Sequence, residues 1–503
     1  MSDVKVSRRE FLTMAGATGA TAALGNEMLA QASEGTQLCF FPRVLRQANE
    51  SSLNIITIMC DTLRYDHIGF HGNSWIQTPN IDAFAAQAQV FDRAYCGGFP
   101  TVPNRAELFT GRFMYTILGW EDLPDDAIVS AQVMSDNGYT TGLVFDNWHL
   151  KDDGYFLDRG FQSWEWIRGQ EGDRYRANPS HPPLPADPAK FRHGAKVIEQ
   201  YLRNMAERNG EAEYLAARTI QAAINWLQRN KDYGAFNLHI DVFDPHEPWD
   251  PPQSYVDLYN PGYGGQEIIY PAYAPPDYMT ADELDHMRAL YAAEVSLVDH
   301  WVGLLLAEID NFGLSESSVV ILMSDHGFLL GEHNSVGKAW STDTYYEPYS
   351  LYQELVHIPL MIRVPGVTPK RLKALVQPAD IMPTILDYAD VPAPGGMHGF
   401  SLKPYINGQG TSPRPVAIAS RSLEQDLGPK QRITVTDGEW TLFDGAGKTN
   451  SELYYLPDDP RQEKDLIGSQ CAMAQKLHAE LIGFLEAVDT PAETVNSWRK
   501  PPC

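Results

Sequence analysis

Four short apolar stretches, far apart in the chain, end in the same way. Residues 53–60 (LNIITIMC) run into Asp61, and 141–145 (TGLVF) run into Asp146, Asn147, Trp148 and His149. Residues 235–243 (AFNLHIDVF) run into Asp244, Pro245 and His246, and 319–323 (VVILM) into Ser324, Asp325 and His326. Short β-branched runs bounded by polar residues read as buried strands. Helical patterns lie between them at 81–89, 215–228 and 281–309. Strands alternating with helices predict an α/β fold, a large and mainly parallel sheet sandwiched by helices. Such sheets bind ligands beyond the carboxyl ends of their strands. One strand ending in Asp is ordinary turn chemistry. Four ends bearing Asp or His along one edge predict a site there.

A hydroxyl suited to that site lies in 99–112, FPTVPNRAELFTGR. Thr101, Pro103 and Arg105 alternate ahead of a helical run at 104–110. Pro103 suits a first helical turn, where no N–H is needed. Thr101 then sits just before a helix N-terminus, whose free N–H groups and dipole attract anions. Arg105 adds a guanidinium fork that matches sulfate or phosphate oxygens.

Charge narrows the ligand. With 39 basic and 65 acidic residues among 503, the net charge is −26. So acidic a surface excludes nucleic acid and anionic membranes as partners. A small anionic substrate then requires a locally positive site. Ser7, Arg8, Arg9, Glu10, Phe11 and Leu12 form a twin-arginine pattern, followed by a weakly apolar run at 14–24 and a small-residue cleavage site at 30–32. Residues 1–32 are therefore expected to be a signal peptide read by the twin-arginine export machinery, with a periplasmic or secreted mature chain. No later run of about 18 apolar residues predicts a transmembrane segment in the mature chain. The five cysteines give neither a disulfide framework nor a CxxC pair. Cys60 reads as a buried thiol, and one bridge of unspecified pairing suits an oxidising compartment.

The expected organisation is a catalytic α/β domain over 33–412 and a small C-terminal α+β domain over 413–503. The latter is read from strand patterns in 432–444 and 451–456 and a helix from about 469 to 487. Irregular stretches at 168–192 and 248–276, rich in Pro and Tyr, are expected to wall the site.

Asp61, Asp325 and His326 form a candidate ligand set for one divalent cation. Thr101 would complete it as both ligand and nucleophile, because a hydroxyl is a weak nucleophile until coordination lowers its pKa. Arg105 is expected to hold non-bridging oxygens and Lys338 to add a second cation. His246 is expected to protonate the leaving group, with His149 doing the same or orienting the anion. His239, Asp241, Asp244 and His246 are an alternative second metal set. Glu332 and His333 fit either a supporting or a surface role.

These residues resemble the sulfatase family, within the alkaline phosphatase superfamily. The likeness runs from about residue 53 to the C-terminal helix. Asp61 with Leu63, Arg64, Tyr65 and Asp66 resembles the first metal strand. The stretch from Thr101 to Arg105, with 108–112, resembles the Cys/Ser-x-Pro-x-Arg signature and its helix. Trp148 and His149 resemble the Lys-Trp-His segment, and 244–249 the His-x-Pro segment. Ser324 to Gly327, Gly331 to His333, and Lys338 resemble the second metal strand and the substrate lysine. Glu452, Leu453 and Tyr454, with Asp459 and Pro460, resemble a C-terminal family stretch. The resemblance implies the family's fold, a metal-dependent ester hydrolase and the site residues above.

Three departures qualify it. Thr101 stands where the family carries the Cys or Ser converted to formylglycine, so no formylglycine is expected. Thr62 replaces the second Asp of a metal-binding pair, and Asn147 replaces a Lys of the anion pocket. A formylglycine hydrate has a second hydroxyl with which to expel sulfate, and Thr has none. A phosphorylated Thr is cleared by in-line water, as in related phosphatases and phosphodiesterases. The expected reaction is therefore hydrolysis of a phosphodiester or phosphonate monoester. The first metal site resembles that of phosphonate monoester hydrolases. His326 shifts the expected metal toward Mn²⁺, Zn²⁺ or Fe²⁺, with Ca²⁺ as the alternative. The rival readings are a sulfuric-ester hydrolase without formylglycine, a phospho-group transferase, and a non-catalytic anion-binding protein.

Overall fold

The computed structural model describes residues 52–151, 155–177, 182–342, 344–425, 427–428 and 430–503. The expected signal peptide at 1–32 and Cys39 lie outside them.

An eight-stranded sheet forms the centre. Its strands are β1 (Asn54–Cys60), β2 (Gln89–Ala94), β3 (Thr140–Phe145), β4 (Ser163–Trp166), β5 (Phe236–Val242), β6 (Ser318–Met323), β7 (Leu360–Arg363) and β8 (Lys370–Val376). The order is β8-β2-β7-β6-β1-β5-β3-β4. The four strands expected from their apolar runs lie side by side and parallel at its middle. Only β7 runs antiparallel to its neighbours β2 and β6. The fold is thus α/β with a mainly parallel sheet, as expected.

Both faces of the sheet are covered, and the period of two in the strands divides the core. Ile56, Ile58 and Cys60 of β1 pack on one face with Val320 and Leu322 of β6. That face is covered by α2 (Leu215–Asn230) and α3 (Ala281–Asn311). Ile55 and Met59 point the other way, with Val319, Ile321 and Met323, toward α1 (Thr101–Thr110). Each such aliphatic side chain contributes about 1.5–3 kcal/mol by leaving water. The composition of α3 suits a membrane span, yet 78% of its most apolar window is buried in the fold. A capping box formed by Thr280 and Glu283 starts this helix.

The helix expected at 81–89 is shorter, Pro79–Ala85, because Gln89 and Val90 pair with β7 and β8 instead. Near the C-terminus, β9 (Ala417–Ala419), β10 (Ile433–Thr436), β11 (Trp440–Asp444) and β12 (Glu452–Tyr455) form a small antiparallel sheet. The helix α4 (Cys471–Ala487) packs Leu477, Leu481 and Leu485 against Ile433, Val435 and Leu442. Cys471 is disulfide-bonded to Cys503, a pairing the sequence left open. Cys60 and Cys96 are free and buried.

Candidate active site

The middle strands end at one edge and deliver their carboxylates there. Asp61 follows β1 directly, Asp325 stands two residues past β6, and Asp241 is the penultimate residue of β5. Because β1 lies between β5 and β6, the three acids converge, all fully buried. The helix α1 starts at Thr101 itself, and Arg105 is one turn later on the same face.

Arg105 does not reach substrate space. Its Nε and one terminal nitrogen grip Asp241 at 2.7 and 2.8 Å, and the other terminal nitrogen donates to Asp325 Oδ2 at 2.6 Å. Asp61 Oδ2 lies 3.0 Å from the guanidinium. The expectation that Arg105 holds the anion's oxygens is therefore not met. Three buried carboxylates surround the guanidinium and take up its donors. Burial favours the neutral form of Asp241, but Arg105 and His239 outweigh this and hold it below the usual carboxylate range.

Asp61, Asp325 and His326 are the one set of three or more Asp, Glu, His or Cys among the described residues whose ligand atoms fall within 4.8 Å of one another. His326 Nδ1 donates to the Gly327 carbonyl at 3.0 Å, which leaves the Nε2 lone pair as the ring's free donor atom. Burial pushes His326 down to about 3, so the ring is neutral, as a ligand must be. Burial and the neighbouring Asp325 carboxylate push Asp61 well above its usual range. Three carboxylates face one guanidinium here. This charge imbalance and the mixed oxygen and nitrogen donors fit a divalent cation. The Thr101 hydroxyl lies 3.2 Å from His326 Nε2, beside this set.

Thr62 and Asn147 meet at Asp61. The Thr62 hydroxyl donates to Asp61 Oδ1 at 2.8 Å, and the Asn147 amide lies 3.5 Å from Asp61 Oδ2. Asn147 also accepts the His149 N–H. Both are buried.

Above Thr101 opens a cleft of about 400 Å³. Thr101, His149, His246 and Lys338 line it. The two irregular stretches also reach it, Glu171 and Arg192 from the first and Tyr270 and Tyr273 from the second. His246 Nδ1 donates to the Glu247 carbonyl at 2.7 Å, leaving Nε2 as the ring's open nitrogen. Burial, reinforced by Lys338, holds His246 well below its ordinary value. Burial likewise pushes His149 down to about 3, with Arg105 and Lys338 adding to the effect. Both rings are therefore neutral, and their burial opposes protonation.

The alternative second metal set is not assembled. His239 pairs with Asp241 at 3.4 Å. Asp244 shares the Gln170 amide with Asp146 at 2.8 and 3.2 Å, and His246 faces the cleft. Glu332 forms an ion pair with Arg64 at 2.8 Å, and His333 stacks on Tyr352. Both hold the loop before Lys338. Sequence reasoning missed Trp120, Tyr346 and Arg421 in the cleft wall. Nothing in their local sequence marks them, because each arrives from a separate segment outside the central sheet.

Comparison with known proteins bears on this geometry. The model of the family described as "Sulfatase" matches residues 53–391. That of "N-sulphoglucosamine sulphohydrolase, C-terminal" matches residues 341–488. An arylsulfatase of Clostridium perfringens is 25% identical over 463 residues, covering 83% of this chain and 90% of its own. An N-acetylglucosamine-6-O-sulfatase of Bacteroides thetaiotaomicron is 24% identical over 506 residues, covering 86% and 85%. A phosphonate monoester hydrolase of Agrobacterium radiobacter superposes with a TM-score of 0.68 at 19% identity, over 87% of this chain and 96% of that one.

Proposed function

Because the chain belongs to the sulfatase family of ester hydrolases, in the alkaline phosphatase superfamily, we propose that it hydrolyses a phosphodiester or phosphonate monoester with Thr101 as the nucleophile. The observation that carries this reading is the Thr101 hydroxyl. It stands at the N-terminus of α1, on the cleft wall, 3.2 Å from His326 Nε2. A hydroxyl in the position of formylglycine suits phosphorus rather than sulfur, since its ester must be cleared by water.

A divalent ion held by Asp61, Asp325 and His326 would lower the pKa of an adjacent hydroxyl and offset charge on the ester. Thr101 Oγ1 attacks phosphorus in line, forming one P–O bond as the bond to the leaving oxygen breaks. The hydroxyl proton passes to solvent in the cleft, and on the opposite, leaving-group side His246 Nε2 relays a proton from solvent to the leaving oxygen. Water then attacks the phospho-threonine, Thr101 recovers its proton and the acid product leaves. Lys338 and the start of α1 face the anion throughout. Arg105 fixes the three carboxylates that shape the centre.

We also read the chain as exported. The twin-arginine pattern of residues 7–12 supports this, and so does the Cys471–Cys503 disulfide, expected of an oxidising compartment. The substrate class is tested by turnover of an aryl phosphodiester, an aryl phosphonate and an aryl sulfate, with metal content measured on the same sample. Preference for either phosphorus ester is expected. Preference for the sulfate would establish the rival sulfatase reaction, for which the curated relatives speak. Recovery of phosphorylated alcohols in place of free acid would establish a transferase.

A further inference from the structure

The chain leaving β9 is tied to the loop that precedes the nucleophile. Ser420 N–H donates to the Gly97 carbonyl at 2.9 Å, and Phe99 N–H donates to the Ser420 carbonyl at 2.9 Å. Side chains at Gly97 and Gly98 would collide with Glu107 and Pro103, so the close approach depends on both glycines. Arg421 is thereby placed in the cleft wall with Pro100, Thr101 and Lys338. Its guanidinium lies 4.6 Å from the centre of the Phe99 ring and donates to the Lys338 carbonyl.

Arg421 differs from the other buried arginines. Arg64 meets Asp66 and Glu332, Arg105 meets three aspartates, and Arg363 meets Asp310. Arg421 is only 5% exposed, yet among the described residues no carboxylate pairs with it. Its Nε has no hydrogen-bond partner. A guanidinium stays charged in proteins, and a buried charge without a counter-charge is costly. The bidentate fork of such a residue matches a carboxylate, phosphate, phosphonate or sulfate.

We propose that Arg421 binds an oxyanion of the substrate and is a specificity-determining residue of the cleft. The inference rests on the reading of this cleft as the active site. The anion is either a non-bridging oxygen of the ester being cleaved or a second anionic group on its organic part.

Calorimetric titration with inorganic phosphate, in wild type and Arg421→Gln, tests the first source. Inhibition by an arylphosphonic acid, which has no ester bond to cleave, with and without a ring carboxylate tests the second. A loss of about tenfold or more in phosphate affinity supports binding of the reacting group. An equal loss confined to the carboxylate-bearing phosphonate supports the second anion. Unchanged affinity for all three probes overturns the inference, as does a wild type that binds none of them. Should Arg421→Gln melt early, Arg421→Lys keeps the charge and removes the fork. A several-fold loss is then expected, and unchanged affinity overturns the inference. A wild type that binds phosphate through Arg421 but cleaves no ester leaves this inference standing and defeats only the proposed reaction.

Discussion

Arg105 and Asp241 form a two-point ion pair in the dry interior, Nε to Oδ2 at 2.7 Å and a terminal nitrogen to Oδ1 at 2.8 Å. The pair lies directly behind Thr101, because Arg105 is one helical turn later and also donates to the Thr101 carbonyl at 3.2 Å. Thr101 is thus held from below by the same guanidinium that gathers Asp61, Asp241 and Asp325.

Arg105→Met should leave three buried carboxylates without their cation. The folded chain is expected to lose about 3–5 kcal/mol, the usual cost of removing one partner of a buried ion pair. Urea denaturation of wild type and variant measures this. Arg105→Lys, which cannot grip Asp241 at two points, should fall between them.

Thr101→Ala should abolish turnover of whichever ester proves to be the substrate, by at least about a hundredfold in kcat. The hydroxyl accounts for little buried contact, so the melting temperature should stay close to wild type. Thr101→Ser should keep substantial activity, since the attacking oxygen remains. Equal rates for wild type and Thr101→Ala in a substrate assay would remove Thr101 from the reaction.

Divalent metal should stabilise the chain through Asp61, Asp325 and His326. Extended chelation is expected to lower the melting temperature, and added Mn²⁺ or Zn²⁺ to restore it in proportion to the logarithm of its concentration. In His326→Ala this restoration should be lost. Elemental analysis of wild type and variant provides the independent check.

A pH-sensitive pair joins α4 to the small C-terminal sheet. His478 Nδ1 lies 2.6 Å from the buried Asp444 carboxylate, and this hydrogen bond raises the histidine above its ordinary 6.5. A raised value means that the imidazolium stabilises the folded chain below 6.5. That contribution fades as the pH climbs through the raised value. The stability difference between wild type and His478→Gln should therefore be larger near about pH 5.5 than near about pH 9. Denaturation midpoints at the two pH values measure it, and a difference that grows with pH would contradict the assignment.

The Cys471–Cys503 bridge spans 32 residues and ties the chain end to the start of α4. Cys503→Ser should cost about 2–4 kcal/mol on the chain-entropy account. Reductant should destabilise wild type and leave the variant unchanged.

The centre of the sheet was legible because β1, β3, β5 and β6 are buried on both faces and rich in aliphatic and aromatic residues. The outer strands were not. β8 begins Lys-Arg-Leu-Lys, and β4, Ser163–Trp166, is largely exposed, so neither has the apolar pattern of a buried strand. They are strands because their neighbours offer open hydrogen-bonding edges. Asp61, Asp325, His326 and Thr101 were readable for a related reason. Each follows a strand or opens a helix whose own pattern is strong, so local sequence fixes where it stands.

The sequence by itself determined the parallel sheet, the edge at which Asp61, Asp325 and His326 stand and the hydroxyl that opens α1, because all three follow from local periodicity and from strand and helix ends. Tertiary structure alone decided what each charge faces. Arg105 looks free in the sequence, but it is consumed by Asp241 and its neighbours when β1, β5 and β6 come together. Arg421 has no mark in the sequence, yet it reaches the cleft without a counter-charge among the described residues because Ser420 is hydrogen-bonded to Gly97 and Phe99. Coulomb energies depend on distances between residues hundreds of positions apart, and only the packed fold sets those distances.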